Sequence, residues 1–179
     1  MNHEHLCKRA RRWLEGSRRC NLVLSGIAST REIPDAIGWC TAYKWYGSIV
    51  VECKISLTDF HRDKRKKHPE RMGIRRYFLV PWGLVNVYSI EKHYPDHGLL
   101  YAKGRQVIVA RETPERANAD LHSEIRLLQF ALIHLRMNLG SVTSVDELDF
   151  HLMTKHPFTL LRHVRRLADA KKVIAPTSL

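Results

Sequence analysis

Ile33-Pro34-Asp35-Ala36-Ile37-Gly38-Trp39, followed shortly by Ser48-Ile49-Val50-Val51-Glu52-Cys53-Lys54, is the stretch whose reading decides the fold. Its second half is a run of β-branched residues suited to a strand buried on both faces. A carboxylate and an amine interrupt it where further Val or Ile is expected. Side chains alternate along a strand, so Glu52 and Lys54 share a face with Val50, while Ile49, Val51 and Cys53 point the other way. An antiparallel register that sets Trp39 opposite Ser48 also sets Ile37 opposite Val50 and Asp35 opposite Glu52. Like charges directly opposite one another, with Cβ atoms roughly 5 Å apart, destabilise a sheet. A divalent cation between Asp35 and Glu52, with Lys54 one pleat further along, is the expected compensation.

On the N-terminal side, Leu6, Ala10, Trp13 and Leu14 recur at helical spacing from His3 to Glu15, with Lys8, Arg9, Arg11 and Arg12 on the other face and Gly16 as a stop. Glu15 reads as a surface carboxylate beside Arg11, Arg12 or Arg18, with a role as a further acidic ligand kept as the alternative. Asn21 to Leu24 reads as a short strand, and Ser25-Gly26 with Ser29-Thr30 as a loop. On the C-terminal side, Ser56-Leu57-Thr58-Asp59 resembles a capping box and starts a basic helix that runs to about Lys67. Its cations Arg62, Lys64, Arg65, Lys66 and Lys67, with Arg75 beyond Pro69, are the candidate phosphate contacts, set against an ordinary solvated helix face. Tyr77 to Val80, Gly98 to Ala102 and Gln106 to Ala110 are further strands, the last two joined by a turn at Lys103-Gly104-Arg105. From about Asn118 a helix carries Leu121, Ile125, Leu128, Leu132 and Leu135 as its apolar seam and ends near Gly140. A capping box at Ser144 to Glu147 and the segment from Phe158 to Ala170 predict two more helices. Trp39, Trp45 and Tyr46 near the central pair read as core and loop anchors in preference to base-stacking platforms.

The chain of 179 residues suits one domain with an appendage, and its 44% hydrophobic content is enough for a core that needs no cross-links. A net charge of +12 calls for a polyanionic partner. Nucleic acid ranks above an anionic membrane surface, since no basic amphipathic segment is built to lie in a bilayer and no apolar run reaches the length of a span. Cys7, Cys20, Cys40 and Cys53 form no C-x-x-C pair. That spacing argues against zinc and against a disulfide framework, and predicts reduced thiols in a cytoplasmic protein. The eleven histidines show no H-E-x-x-H or comparable ligand spacing and read as surface or boundary residues.

Pro-Asp followed by Glu-x-Lys is a cheap string; Pro95-Asp96 and Asp169-Ala170-Lys171 supply decoys in this same chain. Only Asp35, Glu52 and Lys54 fall on a strand pair followed by a basic helix. In that context the sequence resembles the PD-(D/E)XK nuclease superfamily, and within it the MmcB-type DNA-repair family. The resemblance rests on Val51-Glu52-Cys53-Lys54-Ile55-Ser56 leading into Thr58-Asp59-Phe60 and Asp63-Lys64, then Arg76 to Pro81, then Gly98-Leu99-Leu100-Tyr101, and it covers roughly residues 5 to 112. It implies an α/β, restriction-endonuclease-like fold: a mixed β-sheet flanked by helices over residues 1–112, with a C-terminal helical extension over 113–179. It further implies that Asp35, Glu52 and the Cys53 carbonyl hold Mg²⁺ or Mn²⁺, and that Lys54 orients water or steadies phosphate charge. The expected function is metal-dependent cleavage of DNA, as an endonuclease in repair or processing, with a homodimer admitted but not required. The alternative is a basic nucleic-acid-binding or accessory protein that keeps the fold without cutting. RNA ranks lower because no RNA-binding module is recognisable.

Overall fold

A computed structural model describes residues 1–26, 32–41, 43–63 and 71–139. The expectations for Lys64, Arg65, Lys66 and Lys67, and for the helices beginning at Ser144 and Phe158, lie outside the described residues. The chain divides into two compact units, Met1–Ala131 and Leu132–Leu179, and the architecture below is that of the first.

Six strands form one sheet in chain order: β1 (Leu22–Leu24), β2 (Ala36–Cys40), β3 (Gly47–Cys53), β4 (Arg75–Pro81), β5 (His97–Lys103) and β6 (Gln106–Arg111). The sheet is mixed, as the resemblance implied. β1, β2 and β3 pair antiparallel, β3, β4 and β5 pair parallel, and β6 returns antiparallel to β5. The β2–β3 register sets Trp39 opposite Ser48 and Ile37 opposite Val50, the register supposed above. Every residue of β2 is buried, as are Ser48 to Cys53 of β3 and Arg75 to Val80 of β4, so these strands are covered on both faces.

Parallel neighbours require crossover segments, and short helices supply them. α2 (Leu57–Asp63) follows β3, and α3 (Val87–His93), which the sequence reading did not anticipate, follows β4. Phe60 of α2 and Ile90 of α3 meet Phe78, Val80 and Leu99 in one apolar cluster. The opposite face of the sheet is covered by α1 (His3–Gly16), whose Leu6, Ala10, Trp13 and Leu14 pack on Ile49, Val51, Cys53, Tyr77, Leu79 and Leu100. The alternation along β3 therefore sorts the motif as expected. Val50, Glu52 and Lys54 belong with the α2–α3 face, and Ile49, Val51 and Cys53 with the α1 face.

Two expectations are corrected. The seam Leu121–Ile125 on α4 (Leu121–Leu139) is exposed, and the residues turned inward are Ser123, Glu124, Leu127 and Ala131. The reason is polar: the buried Glu124 carboxylate accepts from Trp39 Nε1 (3.0 Å), Ser48 Oγ (2.7 Å) and the Gly73 N–H (2.8 Å), and those bonds fix the helix face. Gly73 has φ of +91°, and a Cβ there would meet Val50 Cγ2 at 2.8 Å, so glycine is required where the backbone turns toward Glu124. Secondly, Cys20 and Cys40 form a disulfide, against the expectation of four reduced thiols. The pairing of β1 with β2 brings these cysteines together from positions 20 residues apart, which no local spacing rule signals.

Candidate functional site

Glu52 and Lys54 stand at the C-terminal end of β3, only 8% and 7% exposed respectively. A buried carboxylate must be partnered. Glu52 Oε1 accepts from Arg76 Nη2 at 3.1 Å, and its Oε2 lies 3.9 Å from Lys54 Nζ. Arg76, fully buried, also binds Glu32 Oε1 at 2.7 Å and the Met72 carbonyl at 2.5 Å, so one guanidinium holds two carboxylates and a loop. Glu32 in turn accepts from the Met72 N–H at 2.9 Å. Burial raises the Glu52 carboxyl above its ordinary range; Arg76 and Lys54 oppose that shift, and the charges of Asp35 and Glu32 add to it.

Asp35 lies in a bend immediately before β2, one step beyond the Ala36–Val51 pair, which brings it level with Glu52. Its carboxylate turns across the end of the sheet. Oδ2 accepts from the Cys53 N–H at 2.7 Å, and Oδ1 faces His3 Nε2 at 3.3 Å. The His3 ring also touches Cys7 Sγ, at 3.5 Å from Nδ1 and 3.9 Å from Nε2. Cys7 and Cys53 are free thiols in contact with each other. Their hydrogen bond lowers the Cys7 thiol's pKa and, together with burial, raises that of Cys53 well above its usual range. Sequence reasoning missed His3, Cys7, Glu32 and Arg76 at this end of the sheet. One signal was available: His3 and Cys7 are four apart on a helix and so share a face. Nothing local couples them to Asp35.

The basic residues divide. Arg62 is exposed on α2. Arg75, expected on the nucleic-acid surface, is 5% exposed and its guanidinium is engaged by Glu115 and by the Tyr46 carbonyl at 3.0 Å, so it is a structural cation. Arg18 is likewise internal, its Nη2 donating to both Glu112 carboxylate oxygens at 2.8 Å and its guanidinium set 3.7 Å from the Trp45 ring centre. Trp39 and Trp45 are thus anchors, as expected, while Tyr46 is exposed. Glu15 pairs with Arg11 on the surface of α1 at 2.9 Å. His97, paired with Arg76 in the parallel β4–β5 register, stacks on Phe78 with ring centres 4.8 Å apart. Burial, then the surrounding arginines, depress its pKa to about 2.

No family model matches the chain, and no curated protein matches it. Among solved structures, a protein of unknown function from Silicibacter pomeroyi is similar in fold, with a TM-score of 0.52 and 19% identity over 80% of this chain and 99% of that one. Among the described residues, no helix is long and apolar enough to cross a membrane.

Proposed function

We propose that this chain is a metal-dependent nuclease hydrolysing phosphodiester bonds in DNA, with Asp35, Glu52 and Lys54 as its working groups. The observation that best supports this is the burial of a carboxylate and an amine, Glu52 and Lys54, at the C-terminal end of one strand of a mixed sheet, in a chain of net charge +12. Burying Glu52 and Lys54 there costs desolvation, and buried ionisable groups of this kind cluster at functional sites. Asp35 and Glu52 offer hard oxygen donors, suited to Mg²⁺ or Mn²⁺. The Lys54 amine pairs with Glu52 Oε2 at 3.9 Å, so the amine and the carboxylate stand side by side. An added cation would favour the ionised form of the raised Glu52 carboxyl. Such an ion supplies Lewis acidity toward water and phosphoryl oxygens. Lys54 would steady the negative charge that grows on the phosphate, Arg76 would hold Glu52 in place, and the exposed Arg62 would contact the backbone of the nucleic acid.

A second reading, a basic binding protein that does not cut, is favoured by one observation: the carboxylate oxygens of Asp35 and Glu52 already have protein partners in His3, the Cys53 N–H, Arg76 and Lys54. The test is cleavage of single-stranded, duplex, flapped and branched DNA in Mg²⁺ or Mn²⁺ by wild type and by folded Asp35→Ala and Lys54→Ala variants. Cleavage by wild type, with binding but no cleavage by both variants, supports the nuclease. Salt-dependent binding without cleavage in either metal, unaffected by Asp35→Ala and weakened by Arg65→Ala or Lys66→Ala, supports the binding protein instead.

A further inference from the structure

We propose that His3, Cys7 and Asp35 form a binding site for a divalent transition-metal ion of the zinc class, which shares Asp35 with the Asp35–Glu52 pair and does not use Glu52. The three ligand atoms lie within 4.8 Å of one another, a grouping that contains Asp35 but not Glu52. Its dimensions fit the ion. With Zn–N and Zn–O near 2.05 Å and Zn–S near 2.3 Å, the edges of a tetrahedron are about 3.3 Å for N···O and about 3.5 Å for N···S. The distances here are 3.3 Å from His3 Nε2 to Asp35 Oδ1 and 3.9 Å from Nε2 to Cys7 Sγ, with the sulfur and the carboxylate within 4.8 Å, so closure on an ion requires a movement of at most about an ångström.

The donor chemistry selects the metal. One imidazole, one thiolate and one carboxylate suit zinc or cobalt, whereas Mg²⁺ is bound poorly by sulfur and nitrogen. The site is also built rather than incidental. His3 and Cys7 stand one helical turn apart on α1, and Asp35 is held by the Cys53 N–H through its other oxygen, leaving Oδ1 directed at the ring. The buried Cys53 thiol hydrogen-bonds to Cys7, the kind of outer contact that orients a ligating sulfur. The His3 side chain is 47% exposed, which gives an ion access from solvent. Three protein ligands leave a fourth position for water. Binding replaces the Cys7 thiol proton, which passes to solvent, and ties the start of α1 to the bend before β2.

The experiment titrates the full chain, kept under inert gas, with Co²⁺ and then Zn²⁺, following the near-ultraviolet thiolate-to-cobalt absorption. Wild type is expected to take up one equivalent of Co²⁺ with that absorption, and Zn²⁺ is expected to displace it. Cys7→Ser should abolish the absorption, and His3→Ala, at an exposed position in the first turn of α1, should weaken Zn²⁺ binding about a hundredfold. Glu52→Gln, which the nuclease reading expects to be inactive, should leave the cobalt spectrum unchanged, so the two proposals fail separately. Absence of the absorption from the folded wild-type chain, or an absorption and affinity that survive either ligand substitution unchanged, overturns the proposal.

Discussion

Arg76→Met is the substitution whose cost follows most directly from the structure. The guanidinium is fully buried between Glu32 Oε1 at 2.7 Å and Glu52 Oε1 at 3.1 Å, and methionine keeps much of its stem while removing the charge. Two carboxylates then face each other without their shared cation. Removing one partner of a buried pair costs about 3–5 kcal/mol; because Glu32 retains 17% exposure and Lys54 still faces Glu52, we expect about 3 kcal/mol near pH 7. The pH dependence provides an internal check. Burial already raises the Glu52 carboxyl above 4.5, and Arg76 is the strongest opposing influence, so the variant raises it further. A group with a raised folded pKa contributes stability that is fully present below its unfolded value and is lost as pH rises through the folded one. The variant widens that window. Its deficit should therefore be small near pH 4 and grow toward neutrality, as read by urea unfolding at about pH 4 and about pH 7.5. A deficit under about 1 kcal/mol at neutral pH, or one equal at both pH values, refutes the reasoning. A double variant, Arg76→Met with Glu52→Leu, should recover part of the loss because both buried charges disappear together.

His97→Phe should relieve acid sensitivity. A histidine depressed from 6.5 to about 2 stabilises the fold above 6.5 and loses that contribution as pH falls. At about pH 5 the loss is about 2 kcal/mol, so the variant should hold its stability there while wild type declines, and parallel acid profiles would show the effect absent. Gly98→Ala should destabilise by about 2 kcal/mol or more in thermal unfolding, since the new methyl would strike the Tyr77 ring and approach the Arg111 carbonyl at 2.7 Å. Phe60→Ala should cost about 3–5 kcal/mol in urea unfolding, because that ring joins α2 to Phe78, Val80 and Leu99; a cost near zero would mean that α2 does not seal this face. DNA affinity should fall linearly on a log–log plot against salt, and a flat dependence would argue against any phosphate-contacting surface on this chain.

Much of this architecture was legible in particular residues. The run from Ser48 to Lys54 carries strand propensity and alternation within itself, whereas the β2–β3 register could only be supposed, because the connection has no tight-hairpin turn signal and both strands are buried on both faces. Leu6, Ala10, Trp13 and Leu14 announced the buried face of α1 in the same way, since a helical period is a local property. The shared strand face of Glu52 and Lys54 was therefore open to inference from the chain alone.

Other features depended on contacts between distant segments. The parallel β3–β4 register decides that Arg76 enters the core beneath Glu52 while Arg75, its neighbour, crosses to the other face to meet Glu115; in sequence both were simply part of a basic run. Glu124 overrides the apolar seam of α4 because its three donors come from β2, β3 and the loop before β4. Cys20 meets Cys40, and His3 and Cys7 meet Asp35, only once β1 pairs with β2 and α1 lies across the sheet. The sequence by itself determined what recurs along the chain: strand alternation, the buried face of α1, the motif and the excess of positive charge. The tertiary structure alone decided which charges are buried together and which ligands meet, because partners far apart in sequence are selected by strand order and register, and no local pattern encodes those.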